Sequence, residues 1–180
     1  MKMKKLACLL LFAAIFNVEA GFAEANAEVG HATPSVVKKL PAVSYDSLLN
    51  SIDASNLENI SYIAGSLKTL NVLVADGLSP LHYAVFCNNA KVVQILLNKG
   101  ANPNFKTDDG LSALDIALLD NQKTVAKELF DKGGGVSPQI ASDLQKFGCT
   151  LVYDPKTDVY RGDLTEIFAV MEKINAKLAG

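Results

Sequence analysis

Residues Gly77 to Asn104 read G-L-S-P-L-H-Y-A-V-F-C-N-N-A-K-V-V-Q-I-L-L-N-K-G-A-N-P-N, and residues Gly110 to Ser137 read G-L-S-A-L-D-I-A-L-L-D-N-Q-K-T-V-A-K-E-L-F-D-K-G-G-G-V-S. The two stretches align without a gap at a spacing of 33 residues. A fixed period of this length marks a solenoid, in which each unit buries its apolar face only against its neighbours. One step back, a degenerate copy occupies 44–76: Leu81 maps to Leu48, Val85 to Ile52, Val93 to Ile60, Leu96 to Ile63 and Asn104 to Asn71. The glycine that closes the second helix is replaced there by Leu67. Terminal units drift in this way because one side faces water.

Each clear copy spells out a helical hairpin. Ser79 is placed to cap a helix, with Pro80 at the first helical position, where a missing N–H costs nothing. Ser112 takes the same role, and Asp115 three residues on suits the positive end of the helix. Asn88 and Asn121 fall where the chain reverses, a place that asks for left-handed backbone. The second helices carry Val92, Val93, Ile95, Leu96 and Leu97, then Val125, Leu129 and Phe130, and stop at Gly100 and Gly133. A polar finger, Asn104 to Asp109, joins one unit to the next.

The string G-x-S-P-L-H-x-A followed by V-V-x-x-L-L-x-x-G-A-x-x-N in 77–104 resembles the ankyrin repeat. The resemblance is closest for 77–109, good for 110–137 and partial for 44–76, and covers roughly half of the chain at the repeat length of that family. It implies an all-α solenoid of helix–turn–helix units with β-turn fingers along one edge. It also implies protein binding through the finger tips and the solvent-facing side of the first helices. Carried onto this chain, those positions are Asp76, Leu78, Phe86, Asp108, Asp109, Leu111, Leu119 and Asp120, with Cys87, Asp53 and Ala54 beside them. The chain departs from the family at Ser79, where threonine is usual, and at Ala113 and Asp115, where proline and histidine are usual. Gly134-Gly135 would loosen the third finger, so regular stacking is expected to end near residue 135.

The remainder, 138–180, reads as a divergent helical cap. Ser137-Pro138 starts a helix that runs to Phe147 and stops at Gly148; Cys149 to Tyr153 suits a short strand or extended segment inside an inserted loop, 149–162. Asp163 and Glu166 have capping-box spacing. Leu164, Ile167, Phe168, Met171, Ile174 and Leu178 then form a helical apolar stripe. Its polar face offers only Lys173 and Lys177, too few cations for a membrane-surface helix.

The first 25 residues read as a Sec-type signal peptide of bacterial style. Lys2, Lys4 and Lys5 precede an apolar run from Leu6 to Val18, and small-residue cleavage patterns follow, such as Ala23-Glu24-Ala25. The run is too short to span a bilayer comfortably. The expected product is periplasmic or secreted, without membrane insertion after cleavage, and begins with a flexible lead-in over 26–43. Removing residues 1–25 leaves 14 basic and 17 acidic residues. With Arg161 the only arginine, no surface suits nucleic acid.

Catalytic chemistry finds no support. His31 falls in the lead-in, and His82 occupies the histidine slot of its repeat, where it is expected to tie the finger backbone together. No nucleophile elbow, phosphate-cradling glycine loop or metal-ligand spacing accompanies them, so no enzyme, cofactor or metal site is expected. Cys87 and Cys149 remain after signal removal, and an even count in an exported chain invites a disulfide between them. Leu78, Phe86, Leu111 and Leu119, flanked by aspartates, form either an interface stripe or a surface that the tail covers. The expected function is non-catalytic binding of a protein partner by a monomer. The alternatives are a structural or stress-protective partner of an envelope enzyme and a secreted effector acting on a host protein.

Overall fold

The computed structural model describes residues 40–74 and 76–179. The expected signal peptide, most of the expected lead-in and His31 lie outside them. Three helical hairpins follow one another: α1 (Tyr45–Asp53) with α2 (Leu57–Ser66), α3 (Pro80–Phe86) with α4 (Ala90–Asn98), and α5 (Ala113–Leu119) with α6 (Lys123–Asp131). First helices stack on first helices and second on second, which gives two layers.

Local chemistry sets the boundaries. The side chains of Ser44, Asn56, Ser79, Asn89 and Ser112 each accept the backbone N–H three residues on, which satisfies a donor that the helix leaves open. The reversals are made at Ser55, Asn88 and Asn121, with φ of +50°, +51° and +54°. They stand one repeat apart, so the degenerate first unit keeps the turn even where asparagine has become serine. Asparagine also stitches unit to unit. Asn71 Oδ1 accepts from Asn102 N at 2.7 Å, and one period later Asn104 Oδ1 accepts from Gly135 N at 2.9 Å.

The core lies between the layers. Leu48, Ile52, Leu81, Val85, Leu114 and Leu118 meet Ile60, Ile63, Val92, Leu96, Val125 and Leu129, all essentially without solvent contact. Each such burial contributes about 1.5–3 kcal/mol, and Ala84, Ala117 and Ala126 keep the layers close.

The cap is α7 (Pro138–Lys146), β1 (Leu151–Asp154), β2 (Val159–Gly162) and α8 (Leu164–Ala179). Three expectations change here. The inserted loop is a β-hairpin, with β1 and β2 antiparallel and Tyr153 opposite Tyr160. Ser137 stands at the N-cap of α7 and its N–H donates to Asp115, but its side chain makes no capping bond. Asp163 accepts from Thr165 and Glu166, yet Glu166 accepts from Thr150 N instead of completing a reciprocal box.

Gly134-Gly135 does not loosen the chain. A Cβ on Gly135 would sit 2.5 Å from Val159 Cγ2 and 2.8 Å from the Tyr160 carbonyl. The glycine admits β2, and Val136 exchanges both backbone bonds with Tyr160, at 2.9 and 2.8 Å. Gly135→Ala is therefore expected to cost about 1–3 kcal/mol in chemical denaturation, the usual penalty of overpacking. Arg161 secures the same junction, donating to the Phe130 carbonyl at 3.3 Å with its guanidinium 5.4 Å from the Phe130 ring centre.

Candidate partner-binding face

The fingers are tight turns built by their own backbone. Val74 N donates to Leu78 O at 2.8 Å, and one repeat on Thr107 N donates to Leu111 O at 2.9 Å. Asp76 (φ +49°) and Gly77 (φ +71°) turn the first finger. Asp108 leans onto it, its N–H donating to Gly77 O at 3.3 Å and its carboxyl filling the space a Gly77 side chain would need. Asp76, Asp108 and Asp109 are exposed at the tips, while Leu78 and Leu111 are half-buried at the finger bases.

On the first helices, Phe86 ends α3 and keeps 43% of its surface in solvent. Leu119 ends α5 but is half-buried and packs against the core, since α8 lies on α5. Lys123, just beyond, pairs with Glu172 at 2.9 Å and lies 5.8 Å from the Phe168 ring centre. Asp120 is half-buried at the C-cap of α5, with Gln122 Nε2 at 3.5 Å. The apolar stripe is therefore divided: Leu119 packs against the core, and Phe86 stands out. Two links along this face had no local sequence signal: Tyr83 donates to Asp53 at 2.7 Å, and Asn89 to Ser55 Oγ at 3.1 Å. Their separations of 30 and 34 residues, close to one repeat, are the clue that sequence offers.

Cys87 and Cys149, the pair the sequence offered for a disulfide, are not joined. Cys87 is exposed at the C-cap of α3, while Cys149 is 5% exposed and belongs to the core beyond α7. Burial, reinforced by Glu166 and Asp163, pushes the Cys149 thiol above its ordinary value, which disfavours thiolate chemistry.

His82 is fully buried. Its Nδ1 accepts from Ser79 N at 3.2 Å, while Nε2 faces the Phe105 backbone without reaching hydrogen-bonding geometry. Burial holds its pKa at about 4, against an opposing pull from Phe105. Asp115 fills the same slot one unit later, accepting from Ser112 N at 2.8 Å and from Ser137 N at 3.0 Å. Both are internal fasteners beneath the face. Among the described residues, no group of three or more His, Cys, Asp or Glu is placed to hold a metal ion.

These stacked hairpins with fingers along one edge define a helical-repeat scaffold. A family profile described as ankyrin repeats (3 copies) matches residues 48–140, slightly more than half of the chain. The chain belongs to the ankyrin repeat family, whose repeats typically mediate protein–protein interaction. Among solved structures, it is similar to the ankyrin repeat domain of Bcl-3, described as a unique member of the IkappaB protein family. The TM-score is 0.49 at 22% identity, over 78% of this chain and 58% of that one. It is also similar to an ankyrin repeat domain from Acinetobacter baumannii AYE, with a TM-score of 0.45 at 24% identity, over 49% of this chain and 47% of that one. The chain thus spans less than two thirds of either solved chain. No curated protein matches it significantly.

Proposed function

We propose that the chain is an exported, non-catalytic binding module that holds a protein partner on its fingers and first helices. The observation that carries this reading is Phe86. A phenylalanine with 43% of its surface in water, at the end of a first helix, is an anchor awaiting a pocket. The exposed carboxylates of Asp76, Asp108 and Asp109 at the finger tips would steer a partner's orientation. Leu119, being packed against the core, contributes through the stiffness of the third unit.

The test is affinity capture from an envelope extract with the wild type and a Phe86→Asp variant. The protein retained by the wild type is expected to be lost with the variant, whose circular dichroism and melting temperature stay unchanged. Undiminished capture by Phe86→Asp would refute the reading. Leu119→Asp, by contrast, is expected to lower the melting temperature, because it places a carboxylate against the core.

Export rests on the Lys2–Lys5 n-region, the Leu6–Val18 apolar run and the small-residue sites that follow. Among the described residues, no helix is long and apolar enough to cross a membrane. The reading predicts a mature N-terminus near residue 26 and recovery in a periplasmic or culture fraction. A full-length chain in the cytosolic fraction would contradict it.

A further inference from the structure

Among the described residues, the cap carries a sheet edge without a partner strand, which the binding face does not use. In an antiparallel ladder, facing residues alternate between pairs that exchange both backbone bonds and pairs that exchange none. Tyr160 gives both of its bonds to Val136. Tyr153, which faces Tyr160, is therefore in a non-bonded pair, and Val152–Arg161 and Asp154–Val159 are the bonded ones. The backbone N–H and C=O groups of Leu151 and Tyr153 consequently point to the outer side of β1. Natural sheets blunt such edges by keeping them short, or with proline, a bulge or an inward charge. β1 is four residues long and is followed by Pro155, but Leu151-Val152-Tyr153 itself carries no proline or charge, and Val152 and Tyr153 are 71% and 46% exposed.

We propose that β1 pairs antiparallel with β1 of a second copy of this chain, which makes a reversible dimer with a continuous sheet through its two-fold axis. The strand is self-complementary in one register. With Val152 opposite Val152 of the second copy, Leu151 and Tyr153 face each other twice and exchange four backbone bonds. Each Asp154 then meets a threonine, Thr150, instead of another carboxylate. Sliding the pairing one way sets Leu151 against Pro155, which has no N–H to give. Sliding it the other way sets Tyr153 against Cys149, which is buried in the core and out of reach. The tyrosine rings already lie 5.0 Å apart across β1 and β2, so Leu151 of the second copy extends an existing apolar row. So short an interface is weaker than an obligate one, and the dimer exchanges with monomer. The monomer expected from sequence is then its dilute form.

The test is sedimentation velocity on the mature chain from micromolar to millimolar concentration. The wild type is expected to shift toward a dimer as concentration rises. Val152→Lys and Val152→Glu, each alone, are expected to remain monomeric with unchanged circular dichroism. An equimolar mixture of the two is expected to dimerise again, because the two-fold places position 152 opposite itself. A wild type that stays monomeric throughout would overturn the proposal and leave the edge to a foreign strand. Persistent dimers in Val152→Lys, or a mixture that fails to dimerise, would overturn it too.

Discussion

Replacing Asp115 with alanine is expected to lower the free energy of unfolding by about 2–6 kcal/mol, because each buried donor left without an acceptor costs about 1–3 kcal/mol. The two donors are Ser112 N, at 2.8 Å in the same unit, and Ser137 N, at 3.0 Å at the start of the cap. One carboxyl thus closes a capping box and fastens the third unit to α7. Against a usual domain stability of about 5–15 kcal/mol, this loss is large. Asp115→Asn keeps one acceptor oxygen and should fall between wild type and alanine in urea denaturation. The Ser137 amide should also exchange faster with solvent in both variants. A loss below about 1 kcal/mol for alanine would mean that the two bonds only offset the cost of burying the carboxyl. Burial pushes this carboxyl above the ordinary value of 3.8, and the bonds from Ser112 and Ser137 pull part of that back. The folded chain therefore keeps the Asp115 proton to higher pH than the unfolded chain does. Its contribution weakens as pH rises from 3.8 through the raised value.

The same residue shows how far the sequence could be read. Asp115 was legible as a helix-start carboxylate, since Ser112-x-x-Asp115 is a local pattern. Its second partner, Ser137 N, lies 22 residues on and depends on where the cap docks. The hairpins, the reversals at Asn88 and Asn121 and the asparagine slots at 71 and 104 follow from the period, because each unit repeats the contacts of the one before. The cap has no second copy to compare with. Val159-Tyr160-Arg161 becomes a strand because Val136 lends it a backbone partner, and Gly135 reads as slack until Val159 is seen above it. On the candidate face, period and spacing placed Phe86 and the finger aspartates. They could not separate Leu119 from Phe86, since both end first helices and only the packing around each distinguishes them.

Acidification from pH 6.5 to about 4 is expected to remove about 3 kcal/mol of stability through His82 alone, the free energy of a shift from 6.5 to about 4. Nδ1 accepts the Ser79 N–H at 3.2 Å, so the neutral ring carries its proton on Nε2, facing Phe105. Adding a second proton at Nδ1 sets it against the Ser79 N–H and leaves only Ser79 Oγ, at 2.8 Å, to accept it, inside a site without water contact. The folded chain resists this while the unfolded chain accepts the proton near 6.5, so the contribution is complete above 6.5 and is lost as pH falls through the window. Asp154, Asp158 and Asp163 are held below the ordinary 3.8 by hydrogen bonds from Thr157, from Lys106 and Tyr153, and from Glu166 and Thr165, so their losses begin at lower pH. Asp115 works in the opposite sense, and the measurement must therefore be a difference. Urea unfolding at pH 7 and pH 4.5 for wild type and His82→Asn isolates the histidine, since asparagine retains an acceptor for Ser79 N and does not titrate. The wild type should lose more stability than the variant over this interval, and a proton NMR titration should leave the His82 ring neutral well below pH 6.5. Equal losses in the two proteins, or a ring that titrates at 6.5, would show that this histidine does not hold the finger junction as a neutral acceptor.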